Sequence, residues 1–217
     1  MKERKCILFD LDGTLSDPGE GIINSLIHAL KHFGIEGDPA ILRKFIGPPL
    51  TESFKEHFNF DDEQTAEAIR IYRKYFHDHG VLKNEIYPGI PELLQDLTKA
   101  GKTLAVATTK PEVYAHQVLE YFEIDRFFQK ELVVGSYLDG RRTNKAELIA
   151  TAIKRLGGEP QDKVMVGDRK FDIIGAKANG IDVIGVTYGY GERDEIEAHE
   201  PTAIAASVDE LRELLLG

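Results

Sequence analysis

A short stretch near the start of the chain places the strongest constraint on its fold. The apolar run from Cys6 to Phe9 is followed at once by Asp10, Asp12 and Gly13. A short apolar run bounded by turn residues predicts a buried strand, and open parallel sheets bind ligands beyond the carboxyl ends of their strands. The pattern therefore predicts two carboxylates at the mouth of a site. A strand followed by an ordinary Asp-Gly turn explains the same residues.

The net charge of the chain limits the kinds of molecule that it is expected to bind. The chain of 217 residues carries a net charge of -10 and has no basic tract, which argues against binding to a nucleic acid polymer or an anionic membrane. Cys6 is the only cysteine, so no internal disulfide is expected. The charged first residues lead into an apolar run too short for a signal peptide or a membrane span. These features predict a cytoplasmic protein.

Two different patterns divide the chain. Residues 17–84 show helical spacing of apolar residues and no convincing strand, and Asp17 is expected to cap the first helix. Residues 1–16 and 85–217 instead alternate apolar strands with helices, which predicts a Rossmann-like parallel sheet covered by helices. The fold class is therefore α/β, with an inserted small helical domain. Further helices are expected in the insertion at 39–46, 50–58 and 62–80, and later strands at 103–107, 132–134, 163–166, 182–186 and 203–205.

Candidate phosphate-binding residues follow the second predicted core strand. Thr108 and Thr109 lie where hydroxyl and backbone N–H groups would bind phosphate oxygens, although threonines also commonly end strands or cap helices. Lys145 lies in the first turn of a predicted helix, where its charge opposes the helix dipole. It is either a solvated lysine or a fixed cation that faces a phosphate.

A second pair of carboxylates follows a later strand. Asp168 comes directly after the apolar run at 163–166, and Asp172 lies in the opening turn of the next helix. A favourable charge at a helix start is sufficient to explain Asp172. Asp168 is harder to explain in that way, and together with Asp10 and Asp12 it offers the hard oxygen ligands that Mg²⁺ prefers.

Taken in order, these motifs resemble those of the haloacid dehalogenase superfamily in its phosphatase form. The run Asp-Leu-Asp-Gly-Thr-Leu is similar to the first motif, Thr108 to the second, Lys145 to the third, and Gly-Asp-x-x-x-Asp to the fourth. The resemblance implies a Mg²⁺-dependent phosphatase that acts on a small-molecule phosphate ester. It implies a nucleophile (Asp10), a general acid and base (Asp12), phosphate-binding residues (Thr108, Thr109, Lys145) and a metal site (Asp10, Asp12, Asp168, Asp172).

The resemblance also implies that residues 17–84 form a helical cap over the site. Arg43 and Lys44 would then face the substrate, although a solvated basic pair explains them equally well. The organisation is similar to that of phosphoglycolate phosphatases and 5′-nucleotidase-like members, and the sequence does not separate these substrates from sugar phosphates or pyrophosphate. A phosphosugar mutase similar to β-phosphoglucomutase and a non-catalytic binding protein on the same fold are the alternatives. The expected assembly is a monomer or a homodimer.

Overall fold

The computed structural model describes residues 1–217, and the chain divides into two compact units. The first unit comprises residues 1–17 and 86–217, and the second comprises residues 18–85. The strands are β1 (Cys6–Phe9), β2 (Ser16–Asp17), β3 (Glu85–Ile86), β4 (Thr103–Pro111), β5 (Val133–Ser136), β6 (Lys163–Gly167), β7 (Asp182–Val186) and β8 (Ala203–Ala205). The helices are α1 (Gly19–His32), α2 (Pro39–Arg43), α3 (Leu50–Phe58), α4 (Asp62–Tyr75), α5 (Ile90–Lys99), α6 (Glu112–Tyr121), α7 (Lys145–Leu156), α8 (Lys170–Ala178), α9 (Arg193–Ala198) and α10 (Val208–Leu216).

One parallel sheet organises the first unit. Its six strands lie in the order β5-β4-β1-β6-β7-β8, and β1 pairs in parallel with β4 on one side and β6 on the other. The direction of strand progression reverses at β1, and ligands of such sheets bind in the crevice outside the carboxyl ends at that point. The predicted Rossmann-like sheet is confirmed.

The central strand is apolar on both faces because helices cover both faces of the sheet. Ile7, Leu8 and Phe9 are all fully buried, as expected for a strand in the middle of a covered parallel sheet. Leu8 packs in one cluster with Ile149 of α7 and Ile173 of α8. This packing fixes the end of β1, where the chain turns polar.

No helix in the structure is both long enough and apolar enough to cross a membrane.

The second unit is helical and is built around aromatic side chains. Phe54 is fully buried, stacks on Phe60 with ring centroids 5.7 Å apart, and meets Phe45 edge-on at 5.1 Å. Helix α4 starts at a capping box, in which the Asp61 carboxylate accepts from the Gln64 N–H at 2.8 Å and the Gln64 side chain accepts from the Asp61 N–H at 3.1 Å.

Three details of the predicted helical segment are wrong. Asp17 does not cap α1, whose N-cap residue is Pro18 without a side-chain hydrogen bond; the Asp17 carboxylate instead accepts a hydrogen bond from Tyr190. Helix α2 ends at Arg43 rather than at residue 46. The helix expected over 62–80 leaves α-helical geometry after Tyr75 and finishes as a π-helical turn over Phe76–Gly80.

The sheet unit also departs from the predicted boundaries. Strand β4 continues to Pro111 through polar residues, with a shift of register between Ala107 and Pro111. Strand β5 starts at Val133 and ends at Ser136, and helix α9 was not predicted from the sequence. Hydrophobic periodicity reports which side chains are buried, so it does not reveal a strand extended by polar residues or a short, mostly exposed helix.

Candidate active site

Asp10 is fixed at the end of β1 by hydrogen bonds on both sides. Its backbone N–H donates to the carbonyl of Val166 at 2.9 Å, and its Oδ1 accepts from the N–H of Leu11 at 2.7 Å. The following turn depends on Gly13, which has φ of +84° and where a Cβ would lie 2.1 Å from Oδ2 of Asp168. Only glycine lets this turn approach the second carboxylate so closely.

Three buried carboxylates meet at the carboxyl ends of the strands. Ligand atoms of Asp10, Asp168 and Asp172 all lie within 4.8 Å of one another. Burial and the neighbouring carboxylates Asp10 and Asp172 raise the pKa of Asp168 to about 8, and burial raises the pKa of Asp172 to about 6. Because like charges this close resist ionising together, the cluster requires a cation or bound protons. A set of hard carboxylate oxygens fits a divalent cation.

Lys145 is a buried cation and not a solvated one. Its Nζ lies 2.8 Å from Oδ2 of Asp10 and 2.8 Å from Oδ1 of Asp172, and it donates to the carbonyl of Ala107 at 3.1 Å. Burial alone would lower the pKa of Lys145, but the two aspartates raise it above its ordinary value. The side chain of Asn144 caps α7 by accepting from the N–H of Ala146 at 2.9 Å, which sets the position of Lys145.

The two threonines differ in their placement. Thr108 is buried, and its hydroxyl accepts from the backbone N–H of Lys110 at 3.2 Å. Thr109 is the next residue in β4, so its side chain lies on the opposite face from that of Thr108; its carbonyl accepts from the Ser136 hydroxyl at 2.7 Å. Thr108 therefore lies on the same side of the strand as Lys110, whereas the side chain of Thr109 does not.

Asp12 stands apart from the three-carboxylate cluster. Its oxygens Oδ1 and Oδ2 lie 2.9 and 2.7 Å from Nζ of Lys110, and burial raises its pKa despite this ion pair. No role in the site was predicted for Lys110, although it directly follows the two candidate threonines. Its position two residues after Thr108 is the signal that would have found it, because residues two apart on a strand share a face.

A glycine-containing loop after β7 also contacts the site and was not predicted. The backbone N–H of Tyr190 donates to Oδ2 of Asp168 at 2.8 Å, and Cβ atoms at Gly189 and Gly191 would lie 2.2 Å from the Gly13 carbonyl and 1.9 Å from the Asp168 carbonyl. The loop packs so tightly against both aspartate turns that side chains at these glycines are excluded. Two glycines separated by one residue, three residues after the end of β7, were its sequence signal.

Arg43 and Lys44 lie in the second unit, at the end of α2 and at its C-cap, and both are exposed. Contact between these residues and a substrate stays a prediction.

Comparisons with known proteins agree with the fold. A family model described as haloacid dehalogenase-like hydrolase matches residues 7–186. The chain is 46% identical to a 5′-nucleotidase of Pseudomonas aeruginosa, over 96% of this chain and 94% of that protein. It is 42% identical to the tyrosine-protein kinase PtkA of Mycobacterium tuberculosis, over 96% of this chain and 72% of that protein. The crystal structure of a predicted phosphatase from Clostridium acetobutylicum superposes with a TM-score of 0.93 at 43% identity, with 98% of each chain covered.

The parallel sheet, the acidic cluster and the similarity to a 5′-nucleotidase and to a phosphatase structure indicate a hydrolase of phosphoric monoesters. The chain belongs to the haloacid dehalogenase-like hydrolase family, and its function within that family is that of a phosphatase.

Proposed function

We propose that this phosphatase depends on Mg²⁺ and hydrolyses a small-molecule phosphate monoester through an aspartyl-phosphate formed on Asp10. The observation that best supports this proposal is that carboxylate oxygens of Asp10, Asp168 and Asp172 lie within 4.8 Å of one another. Lys145 forms ion pairs with Asp10 and Asp172. Carboxylate oxygens from Asp10 and Asp168, the main-chain carbonyl of Asp12, and Asp172 directly or through a water would hold the ion. When bound, it would neutralise charge on the transferring phosphoryl group.

The first half of the reaction joins the phosphoryl group to the protein. An Asp10 carboxylate oxygen attacks phosphorus while the bond from phosphorus to the leaving oxygen breaks, and Asp12 gives that oxygen its proton. Lys145, buried beside Asp10, and Thr108 bind the other phosphoryl oxygens, which carry much of the charge in such transfers.

The second half of the reaction frees the nucleophile. Asp12, now without its proton, takes one from a water molecule, and the resulting hydroxide attacks phosphorus. The bond between phosphorus and the Asp10 oxygen breaks, which releases inorganic phosphate and restores both carboxyl groups to their starting forms. Asp12 thus serves as acid in one step and as base in the next.

The favoured substrates are nucleoside 5′-monophosphates, followed by phosphoglycolate. Support for the first comes from the 46% identity to a 5′-nucleotidase over nearly all of both chains. The 42% identity to a protein named as a tyrosine kinase shows that overall similarity alone does not fix the substrate. We propose that residues 18–85, which form a separate helical unit, act as a cap whose Arg43 and Lys44 contact the leaving group.

A panel of phosphate monoesters with and without Mg²⁺ tests this function. The panel contains nucleoside 5′-monophosphates, phosphoglycolate, sugar phosphates and pyrophosphate, and Asp10→Asn serves as the blank. Asp125→Asn is the matched control, because Asp125 is exposed on the first unit. We expect turnover that requires Mg²⁺, disappears in Asp10→Asn and persists in Asp125→Asn. Near-normal turnover by Asp10→Asn would overturn the assignment of Asp10 as the nucleophile. No turnover on any ester, but phosphoryl transfer from a sugar bisphosphate, would instead identify a mutase.

A further inference from the structure

Lys110 is a buried lysine for which the proposed reaction has no role. Its side chain is only 3% exposed, and both oxygens of Asp12 lie within 2.9 Å of its Nζ. The Asp12 side chain is itself 14% exposed, so it is less deeply buried than the lysine with which it pairs. We propose that Lys110 is the positioning residue for Asp12, which it holds in the orientation that transfers a proton to and from the leaving group. This inference rests on the proposed function.

The strand geometry supports a dedicated role for this lysine. Lys110 and Thr108 are two residues apart in β4 and are both buried, in the segment where the ladder to β5 shifts its register. Such irregularities in strands recur next to active sites, where they redirect side chains. The Lys110 N–H also donates to the Thr108 hydroxyl at 3.2 Å. The strand therefore brings a phosphate-binding hydroxyl and the ammonium group to the same end of the sheet.

The two buried lysines of the site pair with different acids. Lys145 pairs with Asp10 and Asp172, whereas Lys110 pairs with Asp12. A buried ion pair adds little to stability compared with well-packed apolar side chains, because desolvation offsets the attraction. Stability therefore gives no reason for a buried lysine at residue 110, whereas orientation of a proton-transferring carboxylate does.

The pair remains compatible with proton transfer. When Asp12 carries its proton on one oxygen, the other oxygen still accepts a hydrogen bond from Lys110. The proton then passes to the leaving oxygen, and both Asp12 oxygens are again free to accept from the ammonium group. Lys110 itself neither gains nor loses a proton in this cycle.

A comparison of two kinds of leaving group separates positioning from a structural role. We would measure kcat/KM for the best alkyl phosphate of the panel and for p-nitrophenyl phosphate, whose phenolate leaves without a proton. Because kcat/KM reports steps up to departure of the leaving group, it isolates the acid step. General acids contribute about 10²–10⁴-fold, so we expect Lys110→Met to lose on the order of 10²-fold on the alkyl phosphate and less than about 10-fold on the aryl phosphate. Lys110→Arg should recover part of the loss.

Two further variants complete the design. Asp12→Asn should show the same bias between substrates, and the double variant should lose no more than Asp12→Asn alone, because the two residues act as one unit. Lys163→Met is the matched control: Lys163 is fully buried and donates to the Glu159 carbonyl at 2.9 Å, at the opposite end of the sheet. It should leave the substrate ratio unchanged. Thermal unfolding of each variant confirms that it is folded at the assay temperature.

The possible results distinguish failure of this inference from failure of the proposed function. Equal losses on both substrates in Lys110→Met, or losses that multiply in the double variant, would overturn positioning through Asp12. A wild-type protein that hydrolyses neither phosphate with Mg²⁺ would overturn the proposed function and this inference with it. A wild-type protein that turns over both, with an unchanged ratio in Lys110→Met, would overturn the inference alone.

Discussion

Replacement of Asp168 by Asn should reduce the pH dependence of the stability of the metal-free protein. Burial and the neighbouring carboxylates of Asp10 and Asp172 raise the pKa of Asp168 from 3.8 to about 8. Between those two values the folded protein keeps a proton that the unfolded chain has lost. The folded state therefore binds more protons, and the free energy of unfolding falls as the pH rises through this window. Asp168→Asn removes this dependence, since an amide has no proton to lose.

The structure sets the size of the effect. Each pH unit inside the window costs a single fully shifted group about 1.4 kcal/mol. From pH 5.5 to pH 8, metal-free wild type should therefore lose about 3 kcal/mol more than Asp168→Asn. A divalent cation acts in the opposite sense: at a concentration of 100 times its Kd it stabilises the wild type by about 2.7 kcal/mol. For a chain of this size that is a rise in Tm of roughly 5–10 °C, and Asp168→Asn should show little of it.

Thermal and urea unfolding provide the assay, at pH 5.5 and pH 8, in EDTA and in excess Mg²⁺. Asp125→Asn, an exposed carboxylate on the same unit, should follow the wild type in every condition. The reasoning is refuted if metal-free Asp168→Asn loses stability with pH as steeply as wild type does. It is refuted equally if the variant keeps the full Mg²⁺-dependent rise in Tm, because Asp168 would then not be a ligand.

Three other substitutions test different parts of the structure. Gly189→Ala places a Cβ 2.2 Å from the Gly13 carbonyl, so it should weaken Mg²⁺ binding by about 10–100-fold in a calorimetric titration; unchanged affinity would show that the loop does not hold the site. Lys145→Met leaves two buried carboxylates without their partner. It should lower the free energy of unfolding by about 3–5 kcal/mol, measured in urea without metal at pH 8, and a loss below about 1 kcal/mol would contradict the ion pairs. Phe54→Ala removes a fully buried ring and should cost about 3–5 kcal/mol of stability in the helical unit; a loss of only about 0.5 kcal/mol, as is usual for a surface substitution, would contradict the packing described.

The sequence was informative where the chemistry follows from the ends of strands. Parallel strands bring their carboxyl ends to one edge of the sheet, so Asp10 and Asp168 were expected at the same edge once both strands were assigned. The pairing of β1 with β6 then sets their separation. Lys145 was predictable as a first-turn residue of α7, but its burial was not, because the partners that decide it lie on other elements.

The features that could not be predicted are contacts between residues distant in the sequence. Local pattern assigned Asp17 to a helix cap, yet its carboxylate accepts from Tyr190, 173 residues away, and the helix starts without a side-chain cap. Lys110 and Asp12 are 98 residues apart. Their ion pair depends on the adjacency of β1 and β4 and on the register shift in β4. Such pairs follow from the register of the sheet and not from the residues on either strand.

The balance of charge explains why the site should exchange protons for a metal ion. Four aspartates, Asp10, Asp12, Asp168 and Asp172, meet two lysines, Lys110 and Lys145, which leaves two negative charges if every group is ionised. One divalent cation cancels that excess. Without it the folded protein must keep protons, which is the direction in which the pKa values of Asp12, Asp168 and Asp172 are shifted. The cation therefore competes with those protons, so its apparent affinity should rise with pH up to about 8.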